Sequence, residues 1–164
     1  MPLNQIKKYN SLLELDFLTE ESRESSLRKI FDRDFIKFQN TFKDKNIIPT
    51  PKDGESTMDT LFNHLTRSKD NSSKNNSRIY DAHRSKRIHW IKHHFDHQIT
   101  DVAIFSVIDN KGIRTYLFNK KESYVIILEP KKDDYYFLIT AYYLEGGNTR
   151  KIENKMKRKL PIIY

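Results

Sequence analysis

Five of the six histidines fall between positions 83 and 97, in the run DAHRSKRIHWIKHHFDH. An imidazole titrates at about 6.5 when unperturbed, which suits it to moving protons at neutral pH. His89 stands in the densest basic stretch of that run and is the first candidate for a general acid or base. His64, in LFNHLT, is the second; the alternative for it is a polar residue closing a helix. His89, His93 and His97 recur at four-residue steps and line up along one side of a helix. Two such histidines hold zinc only when a third ligand joins them. No HExxH glutamate and no cysteine accompany them, so neither metal nor other cofactor is expected.

The arginines offer a second kind of chemistry. On one continuous helix over about 81–97, Ile88, Ile91 and Phe95 form a narrow apolar stripe, and Arg84 falls on it. A guanidinium there must meet either a buried acid or an anion at a cleft edge, because its charge is too costly to bury alone. In the strand 135–145, alternation puts Tyr136, Leu138, Thr140, Tyr142 and Leu144 on one face. Strand 113–118 shows Arg114, Tyr116 and Phe118 together. Rings that stack on bases, with cations and hydroxyls that hold phosphate, suit a nucleic-acid cleft; the same composition also suits a solvated sheet face. Lys155 and Arg158, in NTRKIENKMKRKL, add cations that could bind a polyanion.

Composition frames these candidates. The 164 residues carry 30 Lys+Arg against 22 Asp+Glu, a net of +8, and no cysteine. Thiol catalysis, thiolate metal sites and disulfide scaffolds are thereby excluded. Residues 1–77 hold 13 basic and 12 acidic side chains, and residues 78–164 hold 17 and 10. The excess therefore has a location, which favours a local anion-binding surface over general solubility. Apolar runs reach only four or five residues, too short for a span of about 20. No secretory signal is visible, and a cytoplasmic protein with no membrane partner is expected.

The elements that must position these residues follow from periodicity. A helix is expected over 4–18, then a second, Phe-rich one over 20–44, with Thr19 as its cap and Leu27, Ile30, Phe31, Phe35, Phe38 and Phe42 as an apolar stripe. Residues 1–48 would form a helical arm and 57–164 a separate domain. Ser56 opens a short helix, residues 67–77 make an apolar-free loop, and Asp81 caps the Arg/His helix. Beyond Gln98 the period becomes that of strands: 101–108, 113–119, 123–129 and 135–145, joined by turns of a few residues. Joints that short hold no crossover helix, so a four-stranded antiparallel meander is expected, followed by a C-terminal helix: an α+β fold.

The succession LFNHLT, RIYDAHRSKRIHWIKHHFD, IRTYLFNKKESYVIILEP and YYFLITAYYLEGG, with a lysine-rich helix after it, resembles the phage-associated barnase–EndoU–colicin–RelE-like nucleases over about residues 58–160. The resemblance implies a barnase/RelE-like fold and metal-independent RNA cleavage, in which the 2′-hydroxyl attacks the adjacent phosphate. By position it implies roles for Arg84 and Arg87 from the helix, Arg114 from the second strand, Thr140 and Tyr142 from the fourth, and His89 as acid or base. The expected activity is thus that of a toxin-like or phage-derived endoribonuclease. The alternative is a non-catalytic basic module that binds nucleic acid or regulates. Expected partners are RNA, a neutralising antitoxin protein, and a second copy docked through the Phe-rich helix 20–44.

Overall fold

Thr19 caps α1 (Glu20–Phe31): its Oγ1 accepts from the Ser22 backbone N–H at 3.2 Å, with Glu20 and Glu21 at the positive end of the helix dipole and Arg28 and Lys29 at the negative end. The computed structural model, which describes residues 3–132 and 134–164, ends this helix at Phe31. A π-helical turn over Asp32–Ile36 follows, then the strands β1 (Thr41–Phe42) and β2 (Lys45–Pro49). The helix expected to run to residue 44 is therefore cut short. Its apparent stripe was a coincidence of spacing across a helix, a turn and a hairpin. Lys43 and Asp44 join the two strands with φ of 50° and 62°, the sign that a type I′ hairpin needs at both central positions. Phe31, Phe35 and Phe42 turn inward, while Ile36 and Phe38 stay exposed.

The helix expected over 4–18 is likewise only a 3₁₀ turn, Leu3–Ile6. Asn4 holds the irregular chain after it. Its buried amide donates to the Glu14 carbonyl and to Ser26 Oγ, and its Oδ1 accepts from the Glu14 N–H. Met1 and Pro2 of the expected arm, and Asp133 of the last expected turn, lie outside the described residues.

Ser56 caps α2 (Thr57–Thr66). The stretch expected as a plain loop instead begins with β3 (Arg67–Lys69), which pairs with β4 (Arg78–Tyr80) in a small antiparallel sheet. Asp81 then caps α3 (Ala82–Ser85), and α4 (Trp90–Asp96) follows after a break. The break replaces the single helix expected over 81–97. Between the two, Arg87, Ile88 and Trp90 donate to carbonyls three residues back, the tighter 3₁₀ pattern that rotates side chains away from a 100° wheel.

Four long strands complete the chain before the last helix: β5 (Val102–Asp109), β6 (Gly112–Asn119), β7 (Tyr124–Lys131) and β8 (Tyr135–Tyr143), with α5 (Asn148–Met156) after them. Here the expected architecture needs correction. The main sheet has six strands, in the order β1-β2-β8-β7-β6-β5, and it is mixed: β2 runs parallel to β8 while every other pair is antiparallel. A four-stranded antiparallel meander omits β1 and β2, whose residues fall within or at the end of the expected helical arm. The two-residue β1 and the I′ turn left no periodic signal strong enough to separate them from the helix.

Each face of this sheet covers its own apolar layer. On one side Leu117, Ile126, Leu128, Tyr136, Leu138 and Ala141 pack with Leu13, Leu27, Ile30, Phe31, Phe62, Ile88 and Trp90. On the other, Phe105, Tyr116, Phe118, Val125 and Leu144 pack under Ile152 of α5. No helix among the described residues is long and apolar enough to cross a membrane.

Candidate functional site

β2 accompanies β8 only from Tyr135 to Leu138. One residue later the β7–β8 register slips, so that Ile127 faces Thr140 while Leu128 faces Leu138, and Ile139 is left over as a bulge. An extra residue reverses the alternation of every side chain beyond it. Tyr136 and Leu138 therefore belong to the helix-side layer, whereas Tyr142 and Leu144 belong to the layer under α5. The single face expected for all of them is split in two. Past the bulge, no strand among the described residues pairs with the outer side of β8, α2 and α3 pack against β8, and Arg84 of α3 reaches Thr140 there.

Arg84 fills this corner. Its Nη1 donates to the His64 carbonyl at 2.8 Å and to Thr140 Oγ1 at 3.1 Å, its Nε lies 3.5 Å from Asp81 Oδ2, and its guanidinium sits 5.2 Å from the Tyr142 ring centroid. A half-buried acid thus lies beside one nitrogen of this arginine, as the first of its two readings expects, while a carbonyl and a hydroxyl hold another. Burial raises the Tyr142 pKa, so the phenol keeps its proton.

His64 borders a pocket of about 250 Å³ whose lining includes Lys52, Glu55, Asn63, Arg67 and Arg78. Its pKa is lowered, first by burial and then by the charge of Arg78, with Arg84 and Lys52 adding to it; a backbone hydrogen bond involving Ile139 pulls the other way. The imidazole is therefore neutral and available as a proton acceptor near pH 7. Three cations stand around it. Arg78 donates through Nη2 to the Arg67 carbonyl at 3.1 Å, and its Nε is buried without a hydrogen-bond partner. Glu55 accepts from Lys52 Nζ at 2.7 Å and from Thr60 Oγ1 at 2.9 Å, which lowers its carboxyl pKa. Arg67 is drawn toward Asn63 and Glu24.

Lys52, Glu55, Arg67 and Arg78 escaped notice in the sequence. Arg67 and Arg78 bracket the apolar-free segment, and pairing that segment as a hairpin would have brought both to the end of the His64 helix.

The remaining candidates are distributed elsewhere. Arg87 donates to the His83 carbonyl and lies 4.0 Å from the Tyr143 ring centroid, with its Nε buried and unpartnered. Beside it His83 Nε2 meets Glu145 at 2.6 Å on the surface. Ile139 and Tyr143 are four residues apart, about 13 Å of strand, so His64 and His83 do not serve one phosphate. His89 is 5% exposed and turns toward the N-terminal segment, its Nε2 lying 3.2 Å and 2.9 Å from the carbonyls of Lys8 and Ser11. Burial pushes its pKa down to about 4. It holds chain segments together, away from Arg84 and Thr140.

Arg114 is buried against Glu129, which also takes Lys131. Tyr116 stacks on Phe105 at 5.2 Å with Lys155 Nζ above it. Tyr136 is fully buried and donates its hydroxyl to the Tyr164 carbonyl. Arg158 is exposed just beyond α5. Among the described residues no three His, Asp or Glu side chains gather as metal ligands would. The chain matches no family model, no curated protein and no solved structure.

Proposed function

We propose that the pocket at His64 cleaves RNA without a metal ion, by attack of a 2′-hydroxyl on the adjacent phosphate. The observation that carries this reading is a neutral imidazole set among Arg78, Arg84 and Lys52 beside an open pocket. His64 takes the proton from the 2′-oxygen as that oxygen bonds to phosphorus. Arg78 and Lys52 offset the charge of the phosphorane, as preorganised cations do, and Arg84 fixes the His64 backbone to Thr140. The bond from phosphorus to the 5′-oxygen breaks, and the leaving oxygen takes a proton from water at the pocket mouth. The products are a 2′,3′-cyclic phosphate and a 5′-hydroxyl. The protein on this reading is a toxin-like endoribonuclease, and a neutralising protein would cover this pocket.

A second reading, RNA binding without cleavage, is favoured by Glu55, the carboxylate of the pocket, being held by Lys52 and Thr60 instead of standing as an acid for the leaving oxygen. Labelled RNA incubated with the protein in EDTA separates the two. Cyclic-phosphate ends that disappear in His64→Ala and fall steeply in Arg78→Ala support cleavage. Intact RNA that is nevertheless retained by the protein supports binding alone.

A further inference from the structure

A pocket larger than the one at His64 lies elsewhere in the structure. It has a volume of about 560 Å³, and Lys7, Lys8, Arg33 and Lys92 line it together with Tyr9, His93 and His97. The three rings form one stack. His93 lies on Tyr9 with centroids 4.3 Å apart and planes at 8°, and His97 lies on His93 at 4.2 Å and 15°. The inner end is fixed: the Tyr9 oxygen accepts from Asn119 Nδ2 at 2.7 Å, and the ring meets Trp90 and His94 edge-on. The outer end is open, because His97 is exposed at the end of α4.

We propose that this stack is a nucleobase platform: a single-stranded RNA base continues it on His97, and the adjoining phosphates lie along the lysines of the pocket. A parallel aromatic stack open at one end, bordered by cations, is the surface by which proteins hold single strands without reading sequence. Its charges favour a backbone over a lone anion. Lys7, Arg33 and Lys92 are each paired with an acid, Glu14, Asp34 and Asp96, the last two also lining the pocket, so the border is only weakly positive and not a tight phosphate clamp. Lys8 has no ion pair among the described residues and is exposed to meet the strand. The platform does not depend on cleavage at His64.

The test is fluorescence anisotropy with a labelled hexamer of 2′-O-methyl adenosine, which lacks the nucleophile and stays intact. Base–aromatic stacking is lost on alanine substitution, so His97→Ala should weaken binding about tenfold and His97→Phe should restore it. The loss caused by His97→Ala should be of the same size in wild type and in a His64→Ala background, because the two sites act independently. Binding that is the same in wild type, His97→Ala and Lys8→Ala overturns the platform. Adenosine monophosphate displacing the hexamer at equal concentration overturns the strand and makes the pocket a mononucleotide site. A failure of the platform leaves the His64 assay untouched, and the reverse holds as well.

Discussion

Arg84 and Thr140 stand 56 positions apart in the chain and meet through a hydrogen bond of 3.1 Å from Nη1 to Oγ1. The contact exists because the Ile139 bulge lifts Thr140 out of the helix-side layer and because α3 packs where β2 has ended. One guanidinium thus ties α2, α3 and β8 together at the point where His64 enters its pocket.

Removing the acceptor alone should be a mild change. Thr140→Val is expected to cost about 1.5 kcal/mol in urea denaturation, the low end for a hydrogen bond to a charged group, since this one is only partly buried. Arg84→Met should cost about 3 kcal/mol, since it also frees the His64 carbonyl and Asp81. In the double variant the Thr140 effect should vanish, because the two changes remove the same bond. Additive losses would show that the pair is not coupled.

The pH dependence at His64 has a definite sign. Arg78 lowers the pKa of this histidine by charge, next in size to burial. Taking the charge away in Arg78→Met should therefore move the pKa up, toward the ordinary value, as read from the histidine ring protons by NMR. If His64 is the proton acceptor in RNA cleavage, the acid limb of the rate profile should shift up with it. A pKa that stays put in the variant would mean that the Arg78 charge does not act on His64.

Two other histidines make folding sensitive to acid. His94 donates from Nδ1 to the Trp90 carbonyl and accepts at Nε2 from Asn119, a set of bonds that only the neutral ring can make. Burial lowers both His94 and His89 to about 4. Unfolded, each binds a proton near pH 6.5, so between 6.5 and 4 the unfolded chain holds more protons and stability falls as pH falls. The full contribution is present above pH 6.5 and amounts to about 3 kcal/mol per residue. His94→Gln, neutral throughout, should lower stability at pH 7 and flatten its decline between pH 6.5 and 4 in urea titrations. An unchanged slope would show that His94 already titrates normally in the folded chain.

The caps on α1, α2 and α3 were legible in the sequence, because Thr19, Ser56 and Asp81 act within three residues of themselves. So were the runs that form β5 to β8. The misreadings share one physical origin, the assumption that a period continues unbroken. A helix wheel placed Ile88, Ile91 and Phe95 on the Arg84 side and gave His89 to the same motif. The 3₁₀ turn at 87–90 instead sent His89 toward Lys8 and Ser11 and left Arg84 at the sheet edge. Strict alternation failed likewise at the Ile139 bulge. His64 was visible as a residue type, and so was Arg84, but Arg78 and Lys52 come from a hairpin and a loop that carry no apolar pattern.

The N-terminal segment gives the largest effect on stability. Leu13, Leu15, Leu27, Ile30, Phe31, Phe35, Phe42 and Ile47 are all buried in the helix-side layer, and β2 supplies the parallel neighbour of β8. Burying one large apolar side chain contributes about 1.5–3 kcal/mol, so the eight together contribute about 12–24 kcal/mol, as much as or more than the net stability of about 5–15 kcal/mol typical of a domain. A chain lacking residues 1–48 should therefore show no cooperative thermal transition by circular dichroism. Single substitutions check the same point more gently. Phe31 has no exposed surface and stacks on Phe35 at 5.0 Å, whereas Phe38 is 56% exposed. Phe31→Ala should cost about 3–5 kcal/mol and Phe38→Ser about 0.5 kcal/mol or less. Equal effects at the two positions, or a folded 49–164 fragment, would return residues 1–48 to the status of an independent arm.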